Sequence, residues 1–329
     1  MTSSAMLTDI PENPCPEGAD AFWFEGYDGG QLRGAIWPAT AAMPRGTILL
    51  LGGRTEYIEK YFEVIAYLRE RGFAVATMDW RGQGLSVRGT ENRLKGHIEH
   101  FDEFDRDMAK FMALVGDRNL PQPFIGMAHS MGGNNMMRWL HLADTAAPLA
   151  ADLPELKGLV LSAPMVNLRM KPVQMMVMRV LGFIGIAVGL GDRYVPGGSD
   201  DKAVGQDTFE DNIVTSDPER FARQDATVKA NPDLALASIT LGWGGSALES
   251  IDLLQTEQFV DSIKTPVLFA GAEKDVLVSE KQVADYAKRV LGSTYIKCVG
   301  CKHEILMERD ALQAQFWTAF DSFVEGLAA

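Results

Sequence analysis

The residues best arranged for chemistry are in AHSMGG, where the apolar run Phe124–His129 breaks at Ser130, with Ala128 two positions before it and Gly132 two after. A serine at a sharp strand-to-helix turn is held up with its hydroxyl exposed. Larger side chains at the two flanking positions would collide with the neighbouring strand and helix. Such a hydroxyl attacks an acyl carbonyl once a base takes its proton. Ala128 departs from the glycine usual at the first position, and the pentapeptide alone does not decide the matter.

A base and an acid must follow in chain order, each in a loop leaving a strand. Of His97, His100, His129, His141 and His303, only His303 follows the later strands, in GCKHE after TYIKCVG. His129 lies inside the turn and His141 on the helix after it, where packing or local hydrogen bonds account for them. His97 and His100 read as a solvated loop. For the acid, PVLFAGAEKD places Asp275 at the tip of a loop. Glu273 is two positions away and would point elsewhere in an extended loop, and the loop after the preceding strand, LSAPMVN, holds no carboxylate. Two backbone N–H groups must also face the developing oxyanion, each worth about 3 kcal/mol in the transition state. Met131, just after the serine, supplies one. Arg54 supplies the other, in LLLGGRTEYIEKY, where Gly52 and Gly53 let the backbone approach the substrate.

The elements that must carry these residues alternate. GTILLLGG, FAVATMD, PFIGMAH, KGLVLSAP, PVLFAG and TYIKCVG read as strands, short apolar runs closed by glycine, proline or polar residues. Between or after them YIEKYFEVIAYLRERG, FDEFDRDMAKFMALVG, GGNNMMRWLHLAD, SEKQVADYAKRVLG and ALQAQFWTAFDSFVEGL carry helical spacing. Strand alternating with helix means parallel strands and right-handed crossovers. The expected fold is a doubly wound, mostly parallel α/β sheet, with residues 1–165 and 255–329 as its core. Residues 166–254 interrupt the pattern with a Met-rich apolar front and a polar, acidic second half, and read as a helical cap. An insertion there lies at the carboxyl edge of the sheet, where open α/β folds place ligands.

Composition removes several classes of function. The 329 residues are 47% hydrophobic and 23% charged, which suits a globular chain with a sizeable core. Lys and Arg number 31 against 44 Asp and Glu, a net charge of −13 that repels nucleic acids and anionic lipid surfaces. No Lys or Arg precedes Arg33 and the opening stretch has no apolar run, so no secretory signal is expected and the location expected is cytoplasmic, peripheral to a membrane at most. The longest apolar stretch, Val180–Leu190, falls well short of the roughly 20 residues a spanning helix needs. Cys15, Cys298 and Cys301 cannot build a disulfide framework, and CVGC lacks a second pair for zinc, so the thiols read as structural. RGQGLSV has Val87 where a dinucleotide fingerprint needs its third glycine, and no Walker loop is present. No cofactor and no metal are expected.

The segments GGRTEYIEKY, DWRGQGLS, GHIEHFDEFDRDM, AHSMGG, AEKD and CKHE occur in the order seen in bacterial lysophospholipases and monoacylglycerol lipases of the α/β-hydrolase superfamily, and the resemblance covers most of the chain. The stretch NIVTSDPERFARQDATVKANPDLALASITLGW is similar to the cap of the bacterial lysophospholipase branch, which shares the alanine before His-Ser. The resemblance implies an α/β-hydrolase with Ser130, Asp275 and His303 as its triad and Arg54 and Met131 as its oxyanion positions. RGQG becomes a structural turn. Related lipases begin the oxyanion loop with His-Gly, where this chain has Gly52-Gly53. The activity implied is ester hydrolysis on a lysophospholipid or monoacylglycerol through an acyl-enzyme, with weak, transient contact to a membrane surface. Two alternatives stay open. An aminopeptidase of this fold would need carboxylates to grip a free amine, and Glu210, Asp211, Asp217 and Glu219 are candidates in the cap. A non-catalytic ligand-binding homologue would keep the fold and cavity without turnover. Epoxide hydrolases and dehalogenases need a carboxylate where Ser130 stands.

Overall fold

The structure, a computed structural model, describes residues 2–205 and 208–328. Among the described residues nine strands form one sheet. In chain order they are β1 (Ser3–Ser4), β2 (Asp20–Glu25), β3 (Gln31–Trp37), β4 (Gly46–Leu51), β5 (Phe73–Met78), β6 (Phe124–His129), β7 (Leu156–Ser162), β8 (Val267–Ala272) and β9 (Thr294–Cys298), and their spatial order is β1-β2-β3-β5-β4-β6-β7-β8-β9. From β5 to β9 the pairs are parallel, and β1, β2 and β3 add an antiparallel margin. This is the doubly wound α/β-hydrolase architecture.

Every residue of β4, β5, β6 and β8 is buried, as continuous apolar runs require when helices cover both faces of a sheet. On one face α1 (Phe62–Glu70) and α9 (Asp310–Ala328) bring Phe62, Ile65, Phe316 and Phe320 onto Ile48, Leu50 and Val75. On the other, α2 (Asp102–Asp117), α3 (Ser130–Asp144) and α8 (Glu280–Ala287) bring Phe111, Met136 and Val283 onto Leu49, Leu51 and Phe269. The segment read as one helix from Tyr57 is two pieces, a 3₁₀ turn over Ile58–Tyr61 and then α1.

Between β7 and β8 the chain leaves the sheet for α4 (Pro172–Ala187), α5 (Pro218–Ala230), α6 (Leu241–Gln255) and α7 (Glu257–Ser262). Helices α4 and α6 cross closely because glycines face each other, and a Cβ on Gly182 would lie 2.7 Å from the Cα of Gly245. Helix α6 is not a surface element. Its Ala247, Leu248, Ile251 and Leu254 join the same buried cluster as α2 and α3. Gln255 donates to the carbonyl of Val166 at 2.8 Å, so the two ends of the insertion meet. Helix α4 is the opposite case: of its side chains Phe183 is 70% exposed, Val173 67% and Met176 59%. Among the described residues no helix is long and apolar enough to cross a membrane.

Candidate active site

The turn from β6 into α3 forces Ser130 into the left-handed region, φ +48°, a conformation that L residues adopt only when their surroundings over-determine it. The surroundings do so from three sides. A Cβ on Gly132 would meet the Gly52 carbonyl oxygen at 2.3 Å, so position 132 must be glycine. Gly53 packs so that a Cβ there would lie 3.0 Å from the Cβ of Ser130. The Ser130 carbonyl accepts from Met165 N–H at 2.9 Å.

The structure brings Ser130, His303 and Asp275 into one line. Nε2 of His303 lies 3.0 Å from Ser130 Oγ and Nδ1 lies 2.6 Å from Asp275 Oδ2. The second carboxylate oxygen of Asp275 accepts from the N–H groups of Leu277 (2.8 Å) and Val278 (2.9 Å), which aims the carboxylate. Burial pushes the Asp275 carboxyl up, but the hydrogen bond and charge of His303 with those two N–H groups outweigh it and hold the group below its usual range. An ionised Asp275 accepts from Nδ1–H and leaves the Nε2 lone pair facing the serine hydroxyl. Glu273 faces away, accepting from Gly300 N–H.

The loop after β4 is fixed from beneath. Trp80 Nε1 donates to the Gly52 carbonyl at 2.9 Å and Gln83 Nε2 to the Gly53 carbonyl at 2.6 Å. Carbonyl and N–H point in opposite directions across a trans peptide. Holding the Gly53 carbonyl against Gln83 therefore turns the Arg54 N–H the other way. Met131 N–H belongs to the first turn of α3, where helix donors have no intrahelical acceptor. Gln83 comes from RGQG, the turn after β5, in which Gly82 and Gly84 both have positive φ.

Sequence reasoning missed a buried charged cluster below this loop. Lys60 Nζ lies 2.9 Å from Glu56 and 2.6 Å from Glu304, while Glu56 also accepts from Tyr61 Oη at 2.6 Å and from Gly53 N–H. Burial raises the Glu56 carboxyl, yet Lys60, His129, Tyr61 and Gly53 together bring it to about 2; burial dominates at Glu304 and keeps it above its ordinary value. The four-residue spacing of Glu56 and Lys60, and the place of Glu304 right after His303, were the available signals. Nothing local says that those charges are buried.

The remaining histidines are placed as follows. His129 is buried, with Nδ1 3.0 Å from the Ser162 carbonyl. His141 stacks on Phe259 and bonds Ser262. His100 is exposed. The solvated reading of His97 is corrected: it is 9% exposed, bonded to Thr240 Oγ1 at 3.1 Å, because α6 closes over its loop. Cys298 and Cys301 are buried and free. Among the described residues no group of three or more His, Cys, Asp or Glu is placed to hold a metal ion.

Ser130 and His303 open into a cavity of about 430 Å³. Its walls are mostly apolar, from Met165, Leu168, Met170, Ile239, Trp243 and Leu277, with Arg54 and Met131 beside the serine. Glu210, Asp211, Asp217 and Glu219 do not line it; Asp217 caps α5 and pairs with Arg220.

Relatives agree with this architecture. A "Probable lysophospholipase L2" of Haemophilus influenzae is 27% identical over 293 residues, 89% of this chain and 87% of that protein. "Phospholipase YtpA" of Bacillus subtilis is 26% identical over 277 residues, 83% of this chain and 93% of its own. The crystal structure of a monoacylglycerol lipase from Paleococcus ferrophilus superposes with a TM-score of 0.65 at 19% identity, covering 90% of this chain and 99% of that one. The fold is that of an α/β-hydrolase, and the relatives similar to it in sequence carry phospholipase and lysophospholipase names. Residues 42–310 match the family described as serine aminopeptidase, S33, and the chain belongs to that family.

Proposed function

We propose that the chain hydrolyses lipid esters, of a lysophospholipid or a monoacylglycerol, through an acyl-enzyme on Ser130. The observation that carries this is the hydrogen-bonded line Asp275–His303–Ser130 at the mouth of an apolar cavity. In this reading His303 takes the Ser130 proton as Oγ attacks the acyl carbonyl, then delivers it to the departing alcohol. Asp275 holds the tautomer and stabilises the imidazolium. The Arg54 and Met131 N–H groups stabilise the oxyanion. Water activated by His303 then releases the fatty acid.

Residues 166–254 act as the lid of this site in the same proposal, and α4 is the part that meets lipid. Its exposed Val173, Met176, Val180, Phe183 and Ile184 form an apolar face, as a surface that rests in the acyl boundary of a bilayer does. Contact is weak because the net charge of −13 repels anionic headgroups.

The family's description speaks for an aminopeptidase reading. Against it, Glu56 in the cavity wall is engaged by Lys60, Tyr61 and Gly53 N–H, which leaves only Glu304, itself bound to Lys60 through one oxygen, to meet an amine. The test is fatty-acid release from lysophosphatidylcholine and from monoacylglycerol, beside release of arylamine from amino-acid arylamides, by the wild type and Ser130→Ala. Release from either lipid, lost in the variant, supports the proposal; arylamine release alone overturns it.

A further inference from the structure

A backbone donor at position 54 asks nothing of the side chain there, so the arginine needs its own explanation. Its Nη2 donates to the carbonyls of Ala237 (2.8 Å) and Ser238 (3.0 Å) in the insertion, and Cζ stands 5.2 Å from the centre of the Trp243 ring. Those hydrogen bonds use one nitrogen of three. Nε is buried with no acceptor. Among the described residues no acceptor is present for Nη1 and no carboxylate pairs with the group. Of the carboxylates lining the same cavity, Glu56 is held by Lys60, Tyr61 and Gly53 N–H, and Glu304 by Lys60 through one oxygen, its other oxygen being buried without a partner. A second arginine, Arg169, lines the cavity from its exposed side, again without an ion pair among the described residues.

Arg54 is part-buried, its Nε fully so, and a guanidinium partly removed from water with no counter-charge is unfavourable by itself, a cost that an entering anion relieves. Burial lowers the Arg54 pKa to about 10, which leaves it protonated at neutral pH. Guanidinium donors match phosphate and carboxylate alike, and of the two lipid esters in question only the lysophospholipid carries such an anion in its headgroup. In a chain of net charge −13, two unpaired arginines at the nucleophile's cavity also give an anionic headgroup a local attraction that the surface as a whole denies it.

We propose that Arg54, assisted by Arg169, receives the phosphate of a lysophospholipid headgroup while the acyl carbonyl lies at Ser130. The site then prefers phosphate-bearing lysolipids to uncharged monoacylglycerols. This rests on the lipid-ester reading above and selects one of its two substrate classes.

The test compares kcat/KM for 1-acyl-glycerol 3-phosphate, lysophosphatidylcholine and monoacylglycerol with one acyl chain in common, in the wild type, Arg54→Lys, Arg54→Gln and Arg169→Gln. The readout is the ratio of phosphate-bearing to uncharged ester, since absolute rates also report on the loop itself. The ratio is expected to exceed one in the wild type, to fall at least tenfold in Arg54→Gln and to fall less in Arg54→Lys and Arg169→Gln. A ratio unchanged within twofold in Arg54→Gln overturns the proposal and leaves Arg54 as a tie between loop and insertion. Calorimetric titration of Ser130→Ala with dodecyl phosphate and with inorganic phosphate gives a readout free of turnover. Adding Arg54→Gln should weaken dodecyl phosphate at least tenfold; undiminished binding, or inorganic phosphate binding as tightly as dodecyl phosphate, overturns a headgroup site. If the wild type releases fatty acid from none of the three esters, the lipid-ester reading fails, and the titration still decides whether Arg54 binds phosphate.

Discussion

The imidazoles of His129 and His303 lie with centroids 4.7 Å apart, yet only one of them faces Ser130. Nδ1 of His129 is tied to the Ser162 carbonyl, and burial drives its pKa down to about 4, so it stays neutral where a second cation would oppose imidazolium formation on His303. Of the pair, only His303 is placed to act as the base in the proposed mechanism. His303→Ala and Ser130→Ala should each lower kcat for fatty-acid release at least a thousandfold. His129→Gln should lower it no more than about tenfold, measured on the same ester.

Asp275→Asn keeps the size of the side chain but removes the charge that selects the Nδ1–H tautomer. A loss in kcat on the order of 10⁴ with little change in KM is expected. A drop confined to KM would remove Asp275 from the mechanism.

Acid should act on the buried cluster below the loop. Glu56 titrates at about 2 in the folded protein against an ordinary 4.5, a depressed value. Its stabilising contribution is therefore complete above about 4.5 and is lost as pH falls through 4.5 towards 2. Asp275 shifts in the same direction. Thermal melts at pH 7 and pH 3 should find Glu56→Gln destabilised by on the order of 2 kcal/mol at pH 7, with the gap to wild type narrowing at pH 3.

At Gly132 the added Cβ of alanine meets backbone oxygen, which cannot swing aside. Gly132→Ala should lower the melting temperature by several degrees and reduce kcat by more than a hundredfold. Gly326→Ala on α9, where a Cβ meets nothing within 4 Å, is the control. It should melt at or slightly above the wild type.

Vesicle binding tests the face of α4. Replacing Val180 and Phe183, 50% and 70% exposed, by serine should reduce sedimentation with neutral phosphatidylcholine vesicles at least fivefold while leaving the melting temperature within about 1 °C. Equal sedimentation of variant and wild type would assign the membrane contact elsewhere.

The parts that were readable before the structure were those encoded locally or by order. β4, β6 and β8 were legible because a fully buried strand is a short apolar run with glycine or proline at its ends. The positions of Ser130 after β6, Asp275 after β8 and His303 after β9 were legible from chain order, although β9 is only partly buried. What stayed hidden depends on contacts between distant segments. The Lys60 pairing joins Glu56 to Glu304, 244 residues from Lys60 in sequence, and a charged residue reads as exposed until its partner arrives. The burial of His97 and of α6 fails to read for the same reason: both are covered by elements far away in the chain.

The meeting of Val166 with Gln255 means that the segment between them leaves and rejoins the rest of the chain at one place. Its two ends are a hydrogen bond apart, while Ser130, Asp275 and His303 all lie outside it in the chain. Exchanging this segment with that of a relative would refit the chamber in front of the proposed triad, as a mould is changed on a fixed press. The joints to preserve include the Arg54 grip on residues 237 and 238, the Arg220 pairs with Glu63 and Asp310, and the contacts of α6 with α3.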